Sequence, residues 1–160
     1  MFRGQRGAFV RYLCLDIGDK RTGIALGDRQ TRLISPLEVV EAPTEPQNGE
    51  VWLREMSSRV HDQIGVADAI VVGLPLNMDG TEGPQSTKIR ALAARLGGRT
   101  GHPVHYQDER LTSADADWQM ARSGMTHGEK KQRRDALAAA TILKDFFDRL
   151  DGQGASQPRA

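Results

Sequence analysis

The chain has 160 residues, 38% of them hydrophobic and 27% charged, which excludes a disordered or fibrous protein and is enough for one domain with its own core. Its one cysteine, Cys14, excludes an intrachain disulfide and a cysteine zinc cluster, and no run approaches the about 18 apolar residues of a membrane span. A net charge of +1 gives little global attraction to a polyanion, so any nucleic-acid reading rests on local clusters.

Tyr12 to Ile17 and Thr22 to Leu26 are apolar runs joined by the polar turn Gly18-Asp19-Lys20-Arg21, which predicts a hairpin. A third strand is predicted at Leu37 to Val40, reached through Ser35-Pro36 and followed by a loop containing Pro43, Pro46 and Gly49. From Val51 to Gln63, Trp52, Leu53, Met56 and Val60 recur with helical spacing. Ala69-Ile70-Val71-Val72-Gly73 lacks alternation, as a central strand covered on both faces should.

An irregular loop is predicted from Gly73 to Gly83, then a helix carrying Ile89, Leu92, Ala93 and Leu96 and stopped by Gly97-Gly98. Val104 to Gln107 reads as the next strand, and Thr112 with Asp115 has the spacing of a capping box opening a helix through Arg122. A last helix is predicted from about Arg134 to Leu150. The expected organisation is an N-terminal extension at 1–11, a single domain at 12–150 and a flexible C-terminal tail at 151–160. Antiparallel strands followed by alternating strands and helices imply an α/β fold, a mixed β-sheet flanked by helices. Nothing in Met1 to Arg11 has the pattern of an export signal, and the expected compartment is the reducing cytoplasm.

Three acids stand where chemistry is expected. Asp16 ends the first strand just before Gly18, where a carboxylate can leave the sheet to meet a metal or a phosphate, although Asp and Gly also simply end strands. Asp108-Glu109 repeats that arrangement at the end of another strand, where either acid could instead complement a helix start. Asp135 begins the stripe of Ala138, Ala139, Ile142 and Phe146, so its carboxylate is expected to face the sheet and to need a cation or hydrogen-bond donors. Carboxylates converging from two strand ends and a helix suit Mg²⁺ or Mn²⁺, and phosphodiester hydrolysis is the matching reaction. Lys20 and Arg21, Arg110, and Lys131 and Arg134 within Lys130 to Arg134 place cations near each acid for holding phosphates. Asn77 and Thr81, in the loop after the central strand, are candidate substrate contacts, though the loop can equally be a well-built connection. The four histidines have no metal-ligand spacing.

Four segments together resemble the YqgF (RuvX) family: Leu15 through Ala25, Gly73-Leu74-Pro75 through Gly83, Asp108-Glu109-Arg110-Leu111-Thr112-Ser113, and Asp135 through Leu143. That family is related to the RuvC Holliday-junction resolvases and is associated with maturation of the small-subunit ribosomal RNA precursor. The resemblance covers about Arg11 to Leu150. It implies a ribonuclease H-like fold, a divalent metal, and acids at Asp16, Glu109 and Asp135, with Glu109 preferred over the adjacent Asp108. The expected substrate is precursor ribosomal RNA or branched DNA, and a junction resolvase would act as a homodimer.

Two readings compete with a nuclease. Asp16-Ile17-Gly18 followed by Gly23 also resembles the phosphate loop of sugar-kinase, actin and Hsp70-type ATPases, but those pair two such halves and this chain holds one. The other is a non-catalytic nucleic-acid-binding protein that keeps the fold; the presence of all three acids favours the enzyme.

Overall fold

In the first strands every second residue belongs to the same buried set, and this alternation decides which side chain faces which layer. The computed structural model describes residues 10–109 and 127–156. Its elements are β1 (Arg11–Ile17), β2 (Arg21–Asp28), β3 (Ile34–Glu41), a 3-10 turn (Pro46–Gly49), α1 (Glu50–Gln63), β4 (Ala69–Leu74), α2 (Pro84–Thr100), β5 (Val104–Asp108) and α3 (His127–Ser156). The sheet order is β3-β2-β1-β4-β5. The pairs β1/β2 and β2/β3 are antiparallel, whereas β1/β4 and β4/β5 are parallel. This is the mixed, helix-flanked sheet of the ribonuclease H-like fold.

Leu13, Leu15, Ile17, Ile24, Ile70 and Val72 face α1 and α2, where Trp52, Met56, Ile89 and Leu96 complete one core. Tyr12, Cys14, Ala25, Ala69 and Val71 face α3, meeting Ala139, Ile142, Leu143, Phe146 and Phe147 in a second core. Every residue of β4 is buried, as its unbroken apolar run predicts for a strand between two neighbours and two layers. On the α1 side, the fully buried Trp52 donates its indole N–H to Thr22 Oγ1 at 2.9 Å.

Some element bounds differ from the sequence expectation, each for a physical reason. Helix α2 runs through Gly97-Gly98 and closes at Gly101, whose φ of +80° gives the left-handed cap. Gly97 serves packing instead: a Cβ there would lie 2.9 Å from Val104 Cγ2. Strand β3 begins before Pro36 rather than after it. Proline is tolerated because β3 is an edge strand, and the register with β2 shifts at Ile24/Ala25 beside it. Helix α3 begins at His127 and continues to Ser156, beyond both ends of the apolar stripe that marked it, because a stripe shows only the part of a helix that packs. The helix expected from Thr112 through Arg122 lies outside the described residues. Among those described, no helix is long and apolar enough to cross a membrane.

Candidate active site

Asp16 is the penultimate residue of β1 and follows Tyr12 and Cys14 on the α3 face. Its antiparallel partner is Gly23, and one step beyond the parallel pair Leu15↔Val72 stands Gly73 of β4. The carboxylate therefore has a glycine on either side across the sheet, leaving a shallow shelf in an otherwise packed face.

Glu109 enters this shelf from β5. Its N–H donates to Leu74 O at 3.1 Å, carrying the β4/β5 pairing one residue past the strand end. Its carboxylate lies over Gly73, where a Cβ would come within 2.5 Å of Oε1. Here the side chain comes against Asp16, close enough for the Asp16 charge to act on the Glu109 carboxyl. Burial, and then the Asp16 charge, push Glu109 up from 4.5 to about 8. Beneath them Cys14 is fully buried, and its thiol is held well above its ordinary range, first by burial and then by the charges of Asp16 and Glu109. The thiol is thereby kept protonated and unreactive.

Asp108 precedes Glu109 on β5 and, by strand alternation, projects to the other side. Gln107 accepts from Arg149 of α3 at 2.9 Å, whereas Tyr106 packs with the α1/α2 core. Asp108 raises the Glu109 carboxyl by its charge. Asp135 lies on α3. Phe146 and Phe147 stack on Tyr12 at the start of β1, while Ile142 sits above Gly73 near the end of β4. The helix thus runs toward its N-terminus as β1 runs toward Asp16. Asp135, seven residues before Ile142 and so about 10 Å farther along, has its backbone toward the end of the sheet where Asp16 and Glu109 meet. Its side chain lies outside the described residues, and among those described no group of three His, Cys, Asp or Glu is placed to hold a metal ion.

The predicted substrate contacts divide. Lys20 is exposed in the β1–β2 turn. Arg21 opens β2 with the parity of Gly23 and Ala25, on the α3 face, and its Nε lies 3.4 Å from Glu41 Oε2. Asn77 and Thr81 meet each other: Asn77 Nδ2 donates to Thr81 Oγ1 at 2.9 Å, and Thr81 Oγ1 donates to Asp79 Oδ1 at 2.6 Å. Both hydrogen bonds shape the loop. Arg110 lies outside the described residues, and Lys131 and Arg134 lie on the first part of α3, where side chains are not described.

Sequence reading missed the Gly73 seat, whose signal was a glycine closing an unbroken apolar run. It also missed Lys88, which bridges Asp19 Oδ1 at 3.2 Å and Glu45 Oε2 at 3.0 Å and ties the β1–β2 turn to α2. No spacing rule links residues so far apart.

Two carboxylates brought onto one shelf, one pushed toward its protonated form by burial and by the charge of the other, form an oxygen donor set that fits a hard divalent cation. A family model described as "RuvX: Holliday junction resolvase" matches residues 10–149. A protein of Anaeromyxobacter sp. (strain Fw109-5) named "Putative pre-16S rRNA nuclease" is 41% identical over 140 residues, covering 87% of this chain and 97% of that protein. One of the same name from Pelotomaculum thermopropionicum is 36% identical over 151 residues, covering 94% and 93%. Among solved structures, the fowlpox virus Holliday junction resolvase superposes with a TM-score of 0.55 at 12% identity, over 88% of this chain and 99% of that one. T. thermophilus RuvC in complex with a Holliday junction does so with a TM-score of 0.55 at 17% identity, over 89% and 96%. At these identities the structural likeness concerns the fold alone.

Proposed function

The chain belongs to the RuvX family, and on that premise we propose that it is a divalent-metal-dependent nuclease that hydrolyses phosphodiester bonds in structured RNA, processing the 5′ end of the 16S ribosomal RNA precursor. The observation that carries this reading is the meeting of Asp16 and Glu109 on one shelf of the α3 face, from strands that are not neighbours in sequence. The names of the relatives support this choice of substrate, and a cytoplasmic location agrees with it.

In this reading Asp16, Glu109 and Asp135 would hold Mg²⁺ or Mn²⁺, which when bound would supply charge stabilisation for the phosphate oxygens and a more acidic water. Asp16 sets the depth of the site, because β1 is fixed by pairing on both sides. Glu109, opposite Asp16 on the shelf, would complete the ligand set in its ionised form and help to orient water. Asp108 acts on Glu109 only through its charge. Lys20 and Arg21, at the rim, steady the phosphates flanking the scissile bond, with Arg110, Lys131 and Arg134 completing the basic border. Asn77 and Thr81 hold the loop after β4 in shape and present its edge to the substrate.

The family description favours a second substrate, the four-way DNA junction. Acting symmetrically on a two-fold junction would require two copies of the chain. The test sets purified protein with Mn²⁺ or Mg²⁺ against a precursor 16S 5′ end and a four-way junction, with Asp16→Asn beside it. Metal-dependent cutting of the RNA at a defined position, lost in the variant, is the expected result. Cutting of the junction alone would replace RNA by branched DNA. Binding without cleavage of either would leave a non-catalytic nucleic-acid-binding protein.

A further inference from the structure

We infer that Gly73 is a positioning residue for this site: the absence of a side chain at this one position of β4 seats the Glu109 carboxylate against Asp16. The inference rests on the nuclease reading and assigns a role within it. Gly73 is the last residue on the α3 face of a strand whose other members on that face, Ala69 and Val71, carry side chains into the second core. A Cβ there would lie 2.5 Å from Glu109 Oε1, 3.4 Å from Glu109 Cδ and 2.7 Å from Ile142 Cδ1. Real Cβ atoms do not approach that closely, so alanine must displace the carboxylate, the isoleucine or both.

Glu109 cannot retreat without cost. Its backbone is pinned by the N–H bond to Leu74 O, so the added methyl swings the carboxylate away from Asp16 rather than lifting the whole residue. Gly27 supplies an internal contrast. It lies on the same face, and a Cβ there would lie 2.6 Å from Leu143 Cδ2 and 3.1 Å from Phe147 Cε2, pressing on α3 with no acid among its nearest contacts. Alanine at Gly27 lifts the helix; alanine at Gly73 does so and also unseats Glu109.

The test is a cycle in the full chain. An Ile142→Val background removes the Cδ1 atom and with it the clash that would simply unfold the variant. In that background Gly73→Ala, Glu109→Asp and the pair are compared with Gly27→Ala. Two readouts are used: thermal unfolding without metal, and Mn²⁺ binding by calorimetry without substrate. Glu109→Asp shortens the side chain by one methylene and vacates the space that the new methyl takes.

Gly73→Ala is expected to weaken Mn²⁺ binding about tenfold or more, as loss of a supporting contact to a ligand does. The pair should bind more tightly, and melt higher, than multiplying the two single effects predicts. Gly27→Ala should lower the melting temperature with a smaller loss of Mn²⁺. The inference is overturned if Gly73→Ala binds Mn²⁺ like its parent, if the two substitutions combine additively in both readouts, or if Gly27→Ala loses Mn²⁺ to the same degree. A parent that binds no Mn²⁺ at all would instead remove the nuclease reading, and the positioning role with it.

Discussion

Glu109→Gln should stabilise the metal-free protein, and should do so only at high pH. Burial and the neighbouring Asp16 push the Glu109 carboxyl from 4.5 to about 8, so across that range the folded chain keeps a proton that the unfolded chain releases. The stability associated with this group is therefore full below about pH 4.5 and is lost as pH rises through about 8. At about 1.4 kcal/mol per pH unit, the gap sets a ceiling of about 5 kcal/mol. With the residue partly open to water and the Asp16 charge acting beside it, about 1–3 kcal/mol should be realised. Glutamine keeps the shape and cannot ionise. The assay is urea unfolding in EDTA at about pH 5 and about pH 8.5, where the variant should match the parent at the lower value and exceed it at the higher. Added Mn²⁺ at about a hundred times its dissociation constant should give the parent about 2.7 kcal/mol, and the variant less. A difference between variant and parent that stays the same at both pH values in EDTA would refute the reasoning, because the carboxyl would then not be held protonated by its surroundings.

Further expectations follow from single contacts. Asp108→Asn should reduce cleavage by no more than about tenfold, the scale of a neighbouring charge, while Glu109→Gln brings it to background; equal loss in both would put Asp108 on the shelf. Thr22→Val leaves the buried Trp52 indole N–H without its acceptor and should cost about 1–3 kcal/mol in urea unfolding. Arg32→Ala removes ion pairs to Asp148 and Asp151, all partly exposed, and should cost under about 1 kcal/mol, with the loss shrinking as salt is added.

Much of this architecture was legible in the sequence because it is written in period. The apolar runs Tyr12 to Ile17 and Thr22 to Leu26 around a polar turn predicted the hairpin, and the unbroken run at Ala69 to Gly73 marked an interior strand. Asp16 and Glu109 could be singled out because acids ending apolar strands are conspicuous. That they meet on one face was less readable, since it depends on strand order, and a β3-β2-β1-β4-β5 sheet brings residues 16 and 109 together across β4. Gly97 misled as a helix stop because sequence does not distinguish a glycine that caps from one that makes room, and Gly73 was read only as a strand end and loop start for the same reason.

The shelf also bears on how a nearly neutral chain can handle a polyanion. With a net charge of +1 the protein as a whole exerts little pull on a phosphate backbone, and Asp16 with Glu109 repels it locally. Lys20 and Arg21 lie at the rim of the hairpin, and part of Arg21's charge is answered by Glu41. The rim cations can therefore hold flanking phosphates, but they do not neutralise the acids at the centre. The proton that Glu109 retains removes one of the two negative charges there, and in the proposed reading a divalent cation would answer both. The raised Glu109 carboxyl thus lowers the negative charge of the metal-free site by one. It also makes metal affinity depend on pH, rising as the proton is released, so that cleavage should strengthen from neutral toward mildly alkaline solution in step with Mn²⁺ binding.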